Sequence, residues 1–246
     1  VELSDVPATL PEPTFTKTEL HGMPFTTYGQ GTNGIVYQQG TAPLPALSEE
    51  QLQILPLYTN ILTDVGLGDQ SYMEVQERQA ATVGSIAGFV SMRGHADDEQ
   101  RVSANFTLSS KALLRNARDQ AKLVGDTLQR VKSSETSRMR DRVNQQRARR
   151  DQSITGSGHS LAMAAASAGM SPLANMHHHQ SGLAGIRQLR ILDDSLADDT
   201  RLEAFALEVQ KLHETLISTP MQFLVIAEDH KVTDVARDIS TLWSQV

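Results

Sequence analysis

RVSANFTLSSKALLRNARDQAKLVGDTLQRVK, from Arg101 to Lys132, changes its period partway along. Up to Ser109, the residues Val102, Ala104, Phe106 and Leu108 alternate strictly with polar ones, which predicts a strand with one buried face. Over Lys111–Lys132 the residues Leu114, Ala117, Ala121, Val124, Leu128 and Val131 recur at three- and four-residue steps, which predicts an amphipathic helix. A further strand candidate, Gly84–Met92, precedes this stretch, and Gly94–Glu99 reads as the hairpin loop between the two. Strands that pair locally and then run into helices point to an α+β fold, an antiparallel sheet with helices packed on one face.

Toward the N-terminus, Ser48 with Gln51 three residues later is a capping-box pattern. The helix it opens is expected to run to about Val65 and stop at Gly66. Its apolar residues, among them Leu55, Leu57, Tyr58, Ile61 and Leu62, cover most of its circumference, so burial on more than one side is expected. Pro56 inside it implies a kink, because proline supplies no backbone donor. A more polar helix is expected over Ser71–Thr82. Further back, Pro24–Tyr28 and Gly34–Gln38 read as strands, and the turn-like Gly29–Gly34 suggests that they form a hairpin. Residues 1–23, with Pro7, Pro11 and Pro13 among small polar residues, read as an extended lead-in to a single domain spanning 24–246.

Toward the C-terminus, helices are expected over Glu135–Ile154, His159–Ala168, Leu183–Leu192 and Thr200–Ile217. Met221–Ala227 is a continuous apolar run suited to a central strand. Val232–Trp243 closes the chain as an amphipathic helix.

The 246 residues include 22 Lys and Arg against 29 Asp and Glu, a formal charge of −7. That balance argues against non-specific nucleic-acid binding, which depends on basic surface. There is no cysteine, which removes disulfides, thiolate metal sites and cysteine nucleophiles from consideration. No apolar run is long enough to span a membrane, and no signal peptide is evident, so a soluble chain without membrane partners is expected; the compartment stays open. The first residue, Val1, suggests a processed chain or a piece of a longer one.

Candidate chemistry is sparse. His177, His178 and His179 invite a metal, but neighbours on a helix point about 100° apart, unlike the i, i+4 pairs of helical zinc sites. A solvated polar face is the simpler reading. His95, His159 and His213 stand alone, as surface or satisfied core residues do. Neither H-E-x-x-H nor H-x-x-E-H occurs, nor a G-x-S-x-G elbow or a phosphate loop after a strand. The cluster Arg138, Arg140, Arg142, Arg147, Arg149 and Arg150 could track phosphates. Asp141 and Asp151 interrupt it and no aromatic residue lies nearby, so a solvated or intramolecular face fits better. Asp97-Asp98-Glu99 and Asp193-Asp194 read as loop solvation and helix ends. No catalytic, cofactor-binding or metal-binding residue is therefore assigned.

Several stretches in order resemble one family. Leu3-Ser4-Asp5-Val6-Pro7 is similar to the lead of the third domain of presequence proteases, within the insulinase/pitrilysin group of zinc metallopeptidases. Thr32–Tyr37 resembles its T-N-G-I-x-Y strand. Leu55–Tyr58 with Val65-Gly66 and Ser71-Tyr72 resembles its P-L-F … L-G-T … Y stretch. Thr82–Ile86 resembles its T-G-G-I-S with Val83 in place of a glycine, and Gly158-His159-Ser160 matches a G-H-S between helices. The resemblance implies four homologous α+β domains, of the kind found in processing peptidases, joined in two halves around a peptide chamber. Zinc would be held by H-x-x-E-H in the first domain. This chain would be the third, with Leu57–Ile61 standing where that motif would be and carrying none of its ligands. Its partners would be the other domains of the parent and an unstructured peptide. The alternative is a stand-alone inactive homologue serving as a peptide-binding or assembly subunit. A His177–His179 metalloenzyme and a nucleic-acid-binding bundle on Arg138–Arg150 are further readings. The polar–apolar balance of His159–Met176 makes that segment the first candidate for an interdomain contact.

Overall fold

The switch from strand to helix comes later than the periodicity suggests. In the computed structural model, which describes residues 12–244 together with Glu2, Asp5 and Thr9, the strand begun at Val102 continues to Leu113. A single 3-10 turn, Leu114–Asn116, follows, and the helix spans only Ala117–Gln129. The cause is non-local. Ile35 pairs with Leu113, and the Leu114 N–H donates to the Gly34 carbonyl at 2.8 Å, so a neighbouring strand holds Lys111–Leu113 extended against their helical pattern.

Six strands form one sheet: β1 (Thr16–Leu20), β2 (Met23–Gly29), β3 (Ile35–Pro43), β4 (Ser85–Gly94), β5 (Val102–Leu113) and β6 (Gln222–Ala227). Their order is β1-β2-β6-β3-β5-β4. The β2–β3 hairpin is therefore not formed. β6 inserts between the two, parallel to β2 and antiparallel to β3. The Gly29–Gly34 turn is real, with positive φ at Asn33 and Gly34. It bridges one strand width more than a hairpin does, and the Glu228 carboxylate, just past β6, accepts the Gly34 N–H at 3.0 Å to hold it there. The sequence lead-in also changes: Thr16–Leu20, inside residues 1–23, is an edge strand antiparallel to β2. Leu3-Ser4 and Val6-Pro7 of the lead lie outside the described residues.

The helices are α1 (Glu49–Ile61), α2 (Tyr72–Thr82), α3 (Ala117–Gln129), α4 (Thr136–Ser153), α5 (Gly158–Ser167), α6 (Pro172–Gln180), α7 (Leu183–Ser195), α8 (Asp199–Ile217) and α9 (Val232–Trp243). Helix α6 was not expected as a separate element, although Ser171 caps it and Pro172 opens it, a recognisable start signal. The expected capping box of α1 is present in full between Ser48 and Gln51.

Helices α1, α3 and α9 cover one face of the sheet. Val36, Phe106, Leu108 and Val225 point into that layer and are fully buried. Phe25 and Phe223 stack with each other and with Trp243 of α9. The Trp243 indole donates to the Ala121 carbonyl at 2.9 Å, and Gln38 of β3 donates to Gln120 and the Ala117 carbonyl of α3, so both polar groups are matched inside the core. Helices α4 and α8 form a further layer on α1, through Met139, Val143, Phe205, Val209 and Leu212. This is the α+β arrangement the patterning predicts.

Candidate functional site

The position to be tested is Leu57–Ile61, at the end of α1. Leu57, Tyr58 and Ile61 point into the core. Thr59 Oγ1 and Asn60 Nδ2 both donate to the Pro56 carbonyl, at 3.1 and 2.7 Å, so their polar atoms are spent on their own helix. The Tyr58 hydroxyl donates to Nδ1 of His213 on α8 at 2.9 Å. Burial pushes the tyrosine hydroxyl far above its ordinary range. The same burial lowers the His213 imidazole, opposed by the Leu128 carbonyl and the Glu214 charge. His213 is thus a satisfied core histidine. A zinc ion would need several imidazole or carboxylate donors here, and hydroxyl, amide and apolar side chains do not fit it.

Pro56 leaves a mark on the packing. A proline cannot donate to the carbonyl four residues back, which is that of Leu52. Gln180, at the end of α6, donates Nε2 to that carbonyl at 3.1 Å. A helix defect is thereby satisfied from outside, and α6 is tied to α1.

Beyond α1, the chain is clamped to the start of α4. Glu135 accepts the Gly66 N–H at 2.8 Å and the Tyr72 N–H at 3.2 Å. A Cβ at Gly66 would run into the Gln70 carbonyl and approach Glu135, which explains the glycine. Arg138 and Arg142 both pair with Asp64, at 3.4 and 2.7 Å, and the Arg138 guanidinium lies over the Tyr72 ring. Further along α4, Arg147 reaches Asp193 at 2.8 Å and Asp194 on α7. Half of the basic cluster is therefore interior glue between helices. Asp193-Asp194 is part of that glue, not loop solvation.

The three histidines sit in the last turn of α6. His177 and His179 are exposed and His178 is half-buried. The His179 ring lies 2.9 Å from the Asn175 carbonyl through Nδ1, while His178 Nδ1 is buried without a partner. Among the described residues no group of three or more His, Asp or Glu is placed to hold a metal ion. The helix end brings His179 to an open cleft of about 360 Å³ between α1, α4, α6, α7 and α8. Ile54, Leu57, Ile186 and Leu189 give it an apolar lining, with Glu50 and the Arg201–Glu208 ion pair (2.9 Å) beside them. The Ser48 hydroxyl holds the Glu50 carboxyl below its usual range, and Arg201 neutralises Glu208. Such a cleft suits an apolar side chain better than proton transfer. Sequence reasoning did not find it, because its walls come from five helices.

No helix among the described residues is long and apolar enough to cross a membrane. A family model for the domain associated with peptidases of family M16, subfamily C, matches residues 1–192. Presequence protease 1, chloroplastic/mitochondrial, of Arabidopsis thaliana is 24% identical over 98% of this chain and 22% of its own length. The mitochondrial presequence protease of Danio rerio is 23% identical over 97% of this chain and 23% of its own length. The chain thus spans less than a quarter of these curated relatives. Among solved structures, a conserved protein from Enterococcus faecalis V583 superposes with a TM-score of 0.62 at 10% identity, covering 92% of this chain and 52% of that one. The periplasmic protease PqqL of Escherichia coli superposes with a TM-score of 0.52 at 13% identity, over 94% of this chain and 23% of that one. These two likenesses speak to the fold alone, and they agree with the sheet and helix layers described above. With more than half its length matched by the family model, this chain belongs to the family of domains associated with the subfamily C peptidases of M16.

Proposed function

We propose that this chain is a non-catalytic domain of a zinc metalloendopeptidase that degrades unstructured peptides. Its role is to form part of the substrate chamber and of the interface between domains. One observation carries the reading. In a chain of a peptidase-associated family, the α1 stretch Leu57–Ile61 offers no metal ligand and is filled by core packing and by the Tyr58–His213 bond. Zinc then belongs to the catalytic domain of the parent, and no catalytic, cofactor or metal residue is assigned here.

Two further features support it. The net charge of −7 favours basic peptides on a chamber wall. In the His159–Met176 segment, Met163 and Met170 are 58% and 72% exposed, as residues awaiting a neighbouring domain would be.

The test is the zinc content and peptidase activity of the purified, tag-free chain after mild chelation, beside the full parent protein. The expected result is zinc and cleavage in the parent and neither in this chain. One zinc per chain, lost in His177→Ala/His178→Ala, would overturn the reading. The charge argument predicts that salt weakens peptide affinity of the parent, and it fails if affinity does not change.

A further inference from the structure

The two edges of the sheet are built differently. β1 has five residues, carries Lys17 and Glu19 in alternation, and ends in a tight turn with positive φ at His21 and Gly22. Shortness and charge are how natural sheets blunt an edge. β4 has ten residues and pairs with β5 without a bulge from Ser85 opposite Lys111 to Gly94 opposite Val102. Its other side pairs with nothing among the described residues. From Ser85 to Met92 it has no charge and no proline, and Phe89, on the sheet face away from the helices, is 43% exposed. Every second residue of this edge turns an N–H and a C=O outward.

An extended main chain matches that two-residue spacing, whatever its side chains. Charge decides which extended chain. Asp97, Asp98 and Glu99 form the hairpin tip just beyond Gly94, and none takes part in an ion pair among the described residues. A second copy, also at −7, is repelled, and a cationic segment is attracted. We infer that the free edge of β4 docks an extended, basic, unstructured peptide as an added strand, with its positive residues toward the Asp97–Glu99 tip. This inference rests on the peptide-handling role proposed above.

Hydrogen exchange tests it, on the whole chain with a Lys-rich synthetic peptide of about ten residues, matched to the length of β4. The expected result is slowing of alternate β4 amides by about tenfold or more. The same peptide N-methylated at every second amide, on the side that faces β4, no longer binds. A version with Glu in place of Lys binds at least about tenfold more weakly at low salt. Ala87→Lys/Phe89→Lys changes two exposed residues, so it is expected to melt like the parent chain while losing the peptide; Phe89→Leu keeps it. Protection mapped to the helix cleft or to the open sheet face overturns the edge site while leaving a peptide-binding domain. Protection of β4 that grows with protein concentration alone means that a second copy is the occupant, and it overturns the proposal too. Absence of any binding does the same, whereas the domain assignment itself stands or falls on the zinc and cleavage measurements.

Discussion

The sheet with α1, α3, α8 and α9 and the arm formed by α5, α6 and α7 are held by different forces. In the first region almost every element contributes fully buried apolar side chains: Phe25, Phe106, Phe205, Leu212 and Ile239 are all at or below 1% exposure. In the second, α6 buries none, α7 buries only Gly185 and Ile186, and Met163, Met170, Leu183 and Ile191 are exposed. What fastens the arm is polar: Arg147 to Asp193 and Asp194, Arg190 to Asp151, and Gln180 to the Leu52 carbonyl. Apolar burial is proportional to area and insensitive to salt, whereas partly exposed ion pairs are weak and screened. One chain therefore contains a cooperative body and an arm of lower local stability.

The largest effect expected from this contrast is in the body. Phe106 is fully buried against Tyr58, so Phe106→Ala is expected to destabilise the chain by about 3–5 kcal/mol through lost transfer energy and a residual cavity. Chemical denaturation of the whole chain measures it. A loss no larger than that from an exposed arm residue such as Ile191→Ala would erase the distinction.

Next is the Tyr58–His213 bond, which joins α1 to α8 within the body. Tyr58→Phe leaves His213 Nδ1 buried without its donor and is expected to cost about 1–3 kcal/mol. The imidazole also ties stability to pH. Its folded pKa lies below the ordinary 6.5, so the unfolded chain binds the proton more readily. The neutral-His contribution is whole above about pH 6.5 and declines as pH falls below it toward the depressed folded value. His213→Gln is expected to flatten that part of the stability–pH curve. An unchanged slope between wild type and variant would show that other groups set it.

A smaller effect belongs to the start of α1. Ser48→Ala removes the side-chain half of the capping box and is expected to cost about 1 kcal/mol. It should fray the first turn without loosening α7, which exchange rates in the two helices can separate.

How far these regions are legible in the sequence follows the same division. Within the body, Val102–Leu108, Met221–Ala227 and Val232–Trp243 announce themselves, because burial on one face imposes a period. The errors arise where pairing is non-local. Lys111–Leu113 has a helical pattern and lies in a strand because β3 holds it there, and the β2–β3 hairpin fails because β6 arrives almost two hundred residues later to part them. Thr16–Leu20 is polar on both sides, as an outer strand can be, and so gives no alternation to read. In the arm, α6 lacks an apolar stripe, and only Ser171-Pro172 marks it. The emptiness of Leu57–Ile61 as a metal site was legible from residue types alone. Its replacement by a buried tyrosine–histidine bond was not, since His213 lies on a distant helix.

The smallest global effect should come from the arm itself, and it sharpens the comparison most. Arg147 stands at the centre of the α4–α7 contact, reaching Asp151, Asp193 and Asp194, and the Asp193 side chain is only 8% exposed. The two aspartates raise the affinity of the guanidinium for its proton, so the charge persists at every accessible pH. Arg147→Met keeps the length and apolar stem of the side chain but leaves Asp193 and Asp194 adjacent without a cation. Because the arm adds little to the cooperative core, the melting temperature should hardly move. Exchange of the Leu183–Ser195 amides should instead rise several-fold, with the sheet amides unchanged. Molar salt should do the same to the wild-type chain and add little in the variant, since screening and substitution remove the same attraction. If Arg147→Met lowered the melting temperature as much as Phe106→Ala does, the arm and the body would be one cooperative unit, and the ion pairs would be part of its core.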